Sequence, residues 1–279
     1  MLCVLEVSRK MYSPKEVAVN YLCACETKTQ LPLLRMFLLA CLAGVFVALA
    51  GVASTAGAAT IENPSVAKVV TGLIFPAGLS MVLIAGSELF TGNNLLIMGV
   101  LQRRITVGAM LRNWVVVYLG NFAGSVLIAA LAYAGGVFSA FNGELAASVV
   151  SIANAKVSLS FSAAFIRGIL CNFLVCIAVW MSNAAKTVPG KIMGLFFPIA
   201  AFVIAGFEHC VANMYYIPAG ILQSGTFGMV YENLTWGGFL LRNLLPVTLG
   251  NMVGGVVLVG VTAWYLYLAP ERDRVATGK

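Results

Sequence analysis

Six long apolar segments constrain the fold of this chain more than any other feature of its sequence. They cover approximately residues 36–56, 70–100, 113–135, 162–183, 193–222 and 243–268. Each reaches the ~20 residues that a helix needs to cross ~30 Å of hydrocarbon. The chain is 61% hydrophobic and only 10% charged, whereas a soluble domain carries about 25% charged residues. The sequence therefore predicts an all-α integral membrane protein with six transmembrane helices.

The basic residues between these segments predict how the chain is oriented. Thirteen of the 17 Lys and Arg residues fall on one side of the predicted membrane, and Lys68, Lys156, Arg167 and Arg242 fall on the other. Cytoplasmic loops carry an excess of Lys and Arg. Both termini are therefore expected in the cytoplasm, with the protein in the cell (inner or plasma) membrane. This bias accounts for the net charge of +7 without a nucleic-acid partner.

The two ends of the chain are more polar than the rest. We expect residues 1–35 to form a cytoplasmic N-terminal segment, residues 36–268 the transmembrane domain, and residues 269–279 a cytoplasmic tail. A short helix is predicted over residues 14–27, because "SPKE" combines a capping serine, a proline at the first helical position and a glutamate that reaches back to the cap.

Two polar motifs inside apolar segments repeat each other. "AGSELFTGN" at residues 85–93 and "AGFEHCVAN" at 205–213 share Ala-Gly-x-Glu, four residues, then Asn. Further along, "RNWVVVYLGNFAG" at 112–124 and "RNLLPVTLGNMVG" at 242–254 share Arg-Asn, Leu-Gly-Asn and a final Gly in register. Blocks that recur in the same order predict that helices one to three are repeated as helices four to six.

The repeat unit contains three crossings, an odd number, so its second copy enters from the opposite face. Repeat 1 at about residues 36–135 and repeat 2 at about 160–268 then form an inverted 3+3 repeat. Segments two and five are near 30 residues, longer than one crossing needs, and are predicted to be broken helices. Matching broken helices in an inverted repeat point to a transport site at the bilayer midplane.

Small-residue pairs follow the repeated motifs. Gly120 and Gly124, and Gly250 and Gly254, are each four residues apart, a spacing that lets membrane helices approach closely. The neighbouring helix could belong to the same protomer or to another one.

The repeated motifs resemble those of the formate/nitrite transporter family. The resemblance covers about residues 30–268 and rests on "GSELFTGN", "GFEHCVANMYYIPAG" and "LLPVTLGNMVGG". It implies an aquaporin-like inverted repeat with helices two and five broken, and a homopentamer with one pore per protomer. The implied partners are protons and small anions of weak acids: formate as first choice, then nitrite, hydrosulfide or lactate.

The resemblance also implies a role for individual residues. His209 matches the family's central pore histidine, and Thr91 matches the threonine opposite it. Lys156, in the outer loop before helix four, matches the vestibule lysine, and Asn172 matches the pore asparagine of helix four. The apolar constrictions of the family fall on Phe75, Leu79, Phe90, Val175 and Phe202.

The only histidine of the chain, His209, is the sharpest candidate on chemical grounds. An ionisable group within the membrane is expensive and indicates function by default, and an imidazole exchanges protons near neutral pH. The alternative is a neutral histidine bonded to a backbone carbonyl, with no transport role. Thr91 could instead cap a helix, Asn172 could hold two helices together, and Lys156 could simply be solvated.

Four polar residues occur in both copies of the motif: Glu88, Glu208, Asn93 and Asn213. A carboxylate would repel a permeating anion, so we expect both glutamates to bond the N–H groups that a broken helix leaves free. Glu208 could alternatively tune its neighbour His209. The asparagines are expected to close the two loops.

The sequence disfavours other classes of function. A membrane redox enzyme needs haem or iron–sulfur ligands, and the chain offers one histidine and seven scattered cysteines. We therefore expect no catalytic residues, no cofactor and no metal. A neutral-solute channel would use paired Asn-Pro motifs, which are absent from both loops. Two permeation routes remain open: the anion accepts a proton from His209 or water and crosses as the neutral acid, or it crosses while bound to protonated His209 and Thr91.

Overall fold

The computed structural model describes residues 11–225 and 231–269 of the 279 residues. The regular elements of these described residues are helices. They also contain one isolated antiparallel bridge, between Met11 and Ala185. The all-α class predicted from the apolar segments is confirmed. The predictions for the tail beyond residue 269 and for the first ten residues lie outside the described residues.

Six helices form the first half of the chain. They are α1 (Pro14–Gln30), α2 (Leu33–Ala58), α3 (Pro64–Ile74), α4 (Pro76–Ala85), α5 (Ile97–Leu101) and α6 (Val107–Ala134). A short 3-10 helix, Gly92–Leu96, leads directly into α5.

The second half is built from a similar series. Its helices are α7 (Glu144–Val157), α8 (Phe161–Ala184), α9 (Val188–Ile204), α10 (Cys210–Ser224), α11 (Leu245–Met252) and α12 (Thr262–Tyr267). Short 3-10 turns at Val137–Ser139 and Phe141–Gly143 precede α7. The wider π-helical stretches Gly238–Leu244 and Val253–Val261 join α11 and α12 into one continuous helix.

Five helices within the described residues are long and apolar enough to cross a membrane. They are Leu33–Ala58, Pro64–Ala85, Val107–Ala134, Phe161–Ala184 and Gly238–Tyr267. The remaining predicted segment, 193–222, is divided between α9 and α10, which have 17 and 15 residues. The chain is therefore a multi-pass membrane protein.

The N-terminal helix α1 begins where the sequence predicts. The Ser13 side chain accepts from the Glu16 N–H, and the Glu16 carboxylate accepts from the Ser13 N–H at 2.7 Å. The helix runs three residues beyond the predicted end. Its last carbonyls are bound by Arg112, which donates to Thr29 O at 3.2 Å and to Leu31 O at 3.1 Å.

Glycines on α6 and α11 allow the closest helix contacts. A Cβ at Gly124 would lie 2.0 Å from the carbonyl oxygen of Cys41 on α2, and one at Gly250 would lie 2.1 Å from that of Phe165 on α8. Both contacts lie within one protomer, which answers the question that the sequence left open.

Helix α7 is not anticipated by the sequence, which places Lys156 in a loop. The chain instead forms a 14-residue helix there, with Lys156 in its last turn. One face of this helix is buried against α10 by Leu145, Ala146, Val149, Val150 and Ala153. Helix α7 therefore holds Lys156 in a fixed position.

Candidate functional site

Two interruptions place polar groups inside the apolar part of the molecule. Helix α4 ends at Ala85, and helical structure resumes at Gly92; α9 ends at Ile204, and α10 begins at Cys210. Gly86 and Gly206 begin these interruptions with φ of 79° and 71°, a conformation that favours glycine. Peptide groups in such stretches need partners from elsewhere, because lipid offers none.

Asn121 on α6 satisfies the first interruption. Its Oδ1 accepts from the Phe90 N–H at 2.9 Å. Its Nδ2 donates to Ala40 O at 2.8 Å and to Glu88 O at 2.9 Å. One buried amide thus ties α6, α2 and the interruption together.

Asn251 on α11 makes the matching contacts at the second interruption. Its Oδ1 accepts from the Cys210 N–H at 2.9 Å, and its Nδ2 donates to Gly168 O at 2.8 Å and to Glu208 O at 2.9 Å. Sequence analysis found Asn121 and Asn251 in the repeated Leu-Gly-Asn block and gave them no role. Their repetition was the available signal.

The Lys28 network is formed by Lys28, Glu88, Asn93 and Asn113. Lys28 Nζ donates to Glu88 Oε1 at 2.7 Å, and Asn93 Nδ2 donates to Glu88 Oε2 at 2.7 Å. Asn93 Nδ2 also donates to Asn113 Oδ1 at 2.9 Å, and Asn113 Nδ2 donates to the Lys28 carbonyl at 3.4 Å. The network joins the end of α1 to the first interruption.

The Lys156 network repeats this pattern with Lys156, Glu208, Asn213 and Asn243. Lys156 Nζ donates to Glu208 Oε1 at 2.9 Å, and Asn213 Nδ2 donates to Glu208 Oε2 at 2.7 Å. Asn213 Nδ2 donates to Asn243 Oδ1 at 2.7 Å, and Asn243 Nδ2 donates to the Lys156 carbonyl at 2.9 Å. Helix α7 therefore takes the place at the second interruption that α1 takes at the first.

These contacts correct the expected partners of the glutamates. Glu88 and Glu208 bond lysine and asparagine side chains. The N–H groups of Phe90 and Cys210 are bonded instead by Asn121 and Asn251. Lys28 is a further residue that sequence analysis did not single out. It lies in the first 30 residues, where no motif pointed to it.

His209 and Thr91 meet between the two interruptions. His209 Nε2 lies 2.9 Å from Thr91 Oγ1, and both side chains are buried. The Thr91 side chain makes no capping bond to the following helix. The alternative of a capping threonine is therefore wrong.

The contacts of His209 define its tautomer. Its Nδ1 accepts from the Ala212 N–H at 3.0 Å, which makes His209 the cap of α10. A backbone N–H can only donate, so Nδ1 is unprotonated, and the neutral ring carries its proton on Nε2. The Nε2–H donates to Thr91 Oγ1. The expected alternative, a bond from the ring to a backbone carbonyl, is replaced by this bond from a backbone N–H.

Asn172 links the threonine to the last membrane helix. Its Nδ2 donates to Asn251 O at 2.7 Å and to Thr91 O at 3.3 Å. Its Oδ1 is buried and has no hydrogen-bond partner among the described residues. Asn172 thus holds helices together directly behind Thr91.

A cavity of about 720 Å³ opens on the Lys156 side of the histidine; we call it the Lys156 cavity. Lys156, Glu208, His209, Phe75 and Phe202 are among the residues that line it. Phe202 stacks on the His209 ring with centroids 5.9 Å apart and meets Phe75 edge-on at 5.9 Å. One aromatic ring therefore lies against the imidazole, and a second packs on that ring.

A smaller cavity of about 430 Å³ opens on the Lys28 side; we call it the Lys28 cavity. Lys28, Glu88, Leu79 and Leu89 are among its lining residues, and Leu89 stands where the second motif has His209. Leu79 follows Phe75 by four residues, about one helical turn or ~6 Å. Only a short apolar barrier therefore separates the two cavities along α4.

Tyr21 lines the Lys28 cavity from α1. Its hydroxyl donates to Gly92 O at 3.1 Å. Burial raises the pKa of this phenol well above its ordinary value, so it remains a neutral donor. The bond anchors α1 to the first interruption.

The other predicted constriction residues lie in different surroundings. Phe90 packs edge-on against Trp114 at 6.2 Å and Tyr118 at 4.9 Å, and it lines neither cavity. Val175 is buried on α8.

Within the described residues, no cluster of three side chains could hold a metal ion.

Similarity to known proteins identifies the family of this chain. The family profile described as formate/nitrite transporter matches residues 15–265. The chain belongs to the formate/nitrite transporter family. This family consists of channels and transporters, not enzymes.

Curated relatives support this membership. A probable formate transporter of Methanothermobacter thermautotrophicus is 41% identical over 274 residues, covering 92% of this chain and 97% of that protein. Formate channel FocA of Haemophilus influenzae is 46% identical over 210 residues, covering 71% of this chain and 74% of that protein.

Two solved structures of the family share this fold. A pentameric formate channel with formate bound has a TM-score of 0.75 at 37% identity, covering 85% of this chain and 98% of that one. A structure described as an FNT family ion channel has a TM-score of 0.81 at 32% identity, covering 90% and 98%.

Proposed function

We propose that this family member is a membrane channel for small anions of weak acids, with formate as its main substrate. The relatives named for formate transport support this choice. The observation that carries the proposal is the pair of cavities that approach the bonded His209 and Thr91 from two sides. Nitrite and hydrosulfide, also small and singly charged, are the alternative substrates within the same class.

The proposal includes an inverted repeat with broken second and fifth helices. The matching Lys28 and Lys156 networks, with Asn121 and Asn251 beside them, support a two-fold relation between the halves. The second broken helix comprises α9 and α10, and the first comprises α3, α4 and α5. The transmembrane domain of residues 36–268 is then preceded by α1, and α7 precedes the second repeat in the same way.

The same proposal sets the orientation and assembly. The excess of Lys and Arg on the α1 side favours cytoplasmic termini in the plasma membrane, so the Lys28 cavity faces the cytoplasm and the Lys156 cavity faces outward. The similarity to a pentameric formate channel supports a homopentamer.

Permeation as the neutral acid agrees best with the state of the histidine. A bare anion at an apolar constriction loses most of its hydration at high cost. His209 caps α10 with an unprotonated Nδ1, and the positive end of a helix dipole disfavours a second proton on the ring. A neutral imidazole could give its proton only by becoming an imidazolate, so cavity water is the proton source. His209 Nε2–H and the Thr91 hydroxyl supply hydrogen bonds to the passing acid.

Each cavity has a lysine that this route requires. Lys156 and Lys28 attract the anion, and their bonds to Glu208 and Glu88 limit how tightly it is held. Formate accepts a proton where the dielectric falls. The resulting formic acid passes the barrier around Phe75, Leu79 and Phe202 and releases the proton on the far side. Formate and one proton cross together.

Uptake by proteoliposomes tests the proposed substrate. Labelled formate, nitrite and hydrosulfide are compared at equal concentration and pH, with protein-free liposomes as the control for passive leak. We expect protein-dependent uptake of formate to be fastest. If formate uptake equals that of protein-free liposomes while another anion is taken up, the assignment of formate is wrong.

A further inference from the structure

The two cavities differ in their charged lining. Three basic side chains line the Lys156 cavity, and they are Lys68, Lys156 and Arg167; two carboxylates, Glu62 and Glu208, line it as well. Among the described residues, the charged ones that line the Lys28 cavity are Lys28 and Glu88. One mouth therefore carries a surplus positive charge, and the other is balanced.

Once Lys156 is paired with Glu208, Lys68 and Arg167 outnumber the remaining carboxylate, Glu62, and leave one surplus positive charge. Lys156 forms an ion pair with Glu208, whereas no ion pair within the described residues involves Lys68 or Arg167. Lys68 interacts electrostatically with Lys156, Arg167 and Glu208. Cations that line the same cavity repel one another, and a bound anion offsets that repulsion.

The scaffold does not require a cation at Arg167. Its backbone carbonyl accepts from the Glu208 N–H at 3.3 Å, and in the other half the carbonyl of Leu39 accepts from the Glu88 N–H at 3.2 Å. The repeated contact uses backbone atoms alone, and a leucine serves equally well. The charge of Arg167 is therefore not part of the repeated contact, and its residue lines the Lys156 cavity.

We propose that Lys68 and Arg167 form an anion-binding site at the mouth of the Lys156 cavity. The site takes a small carboxylate or another singly charged oxyanion before it reaches Lys156 and His209. Both side chains are exposed, whereas His209 is only 4% exposed at the bottom of the same cavity. A guanidinium can bind a carboxylate through two parallel N–H donors, and the Lys68 ammonium adds a third cationic donor. The site deepens the proposed function and rests on it.

A cysteine in the cavity can measure the local charge without any transport. Ser151 lies on α7, is exposed and lines the Lys156 cavity. Ser151→Cys is introduced into a background in which Cys3 and Cys23 are replaced by serine. The rates at which this cysteine reacts with anionic and cationic methanethiosulfonates are then compared. We expect Lys68→Gln with Arg167→Gln to lower the anionic-to-cationic rate ratio about fivefold at 0.1 M salt. Lys68→Arg should leave it unchanged.

Arg242→Gln is the matched control, because Arg242 is exposed and does not line the cavity. An equal fall of the ratio in this control, or an unchanged ratio in the double variant, would overturn the site.

Protection by formate measures occupancy of the site. Formate should slow the anionic reagent in the parent, and the double variant should need about fivefold more formate for half protection. Equal protection in both proteins would overturn the proposal. If liposomes take up formate normally while protection is equal in the parent and the double variant, the site is wrong and the proposed function stands. If the parent takes up no formate, the proposed function is wrong.

Discussion

At the scale of residues, the same set of four side chains occurs at both interruptions. A lysine, a glutamate and two asparagines close each interruption, and the side chains of Lys28 and Glu88 are only 22% and 7% exposed. Such a pair is costly to break, because the remaining charge stays desolvated. The halves differ at the centre of the site, where His209 stands at the position of Leu89 and Thr91 at the position of Val211.

The ion pair between Lys28 and Glu88 leads to a prediction about stability. Glu88→Gln leaves the lysine facing a neutral amide, which should cost about 3 kcal/mol and lower the melting temperature in detergent. Lys28→Met combined with Glu88→Gln should melt higher than the sum of the single effects predicts, because no unpaired charge remains.

The exposed pair of Arg104 and Glu26 is the control for this cycle. Their side chains are 48% and 33% exposed, and exposed ion pairs couple weakly. Arg104→Gln and Glu26→Gln should therefore be nearly additive. Additive melting temperatures for Lys28 and Glu88 as well would show that the buried pair carries no coupling.

At the scale of elements, the glycines of α6 and α11 decide how closely helices approach. Gly124→Ala places a methyl group against the backbone of α2, where the nearest atom, Cys41 O, is 2.0 Å away. Rigid backbone cannot yield as a side chain can, so we expect a loss of about 1–3 kcal/mol and a clear fall in melting temperature. Gly225→Ala, with nothing within 4 Å of its Cβ, should melt like the parent; equal melting of Gly124→Ala would contradict the packing.

Sequence analysis predicted some elements and missed others for physical reasons. Long apolar runs identify membrane helices by length and composition, and the cap at Ser13 identifies the start of α1. Helix α7 was missed because its 14 residues are too short for a span and follow a glycine-containing turn.

The partners within the site were harder to predict than its members. His209, Thr91, Glu88 and Asn93 were found because they interrupt apolar runs, where any polar residue is conspicuous. Lys28 was not found, because a lysine in a polar segment is ordinary until the fold brings it 2.7 Å from Glu88. Lys28 and Glu88 are 60 positions apart, and their contact depends on how the helices pack. A periodic sequence pattern does not predict such a contact.

At the scale of the whole molecule, the inverted repeat predicts opposite membrane faces for two connections. Single cysteines at Asn142 and Lys186, both exposed, should react with an impermeant maleimide from opposite sides, in a background lacking native cysteines. Lys15→Cys provides the reference for the face of α1 and should label with the Lys186 position. Labelling of Asn142→Cys and Lys186→Cys from one face would contradict the inverted repeat.

The central claim is that formate crosses this molecule together with one proton as the neutral acid. The most direct measurement records luminal pH, membrane potential and labelled formate uptake together in proteoliposomes given an inward formate gradient. The account predicts luminal acidification in proportion to protein-dependent formate uptake, with no change in membrane potential. Formate uptake that builds a negative luminal potential without acidification would show that the bare anion crosses, and would contradict the account.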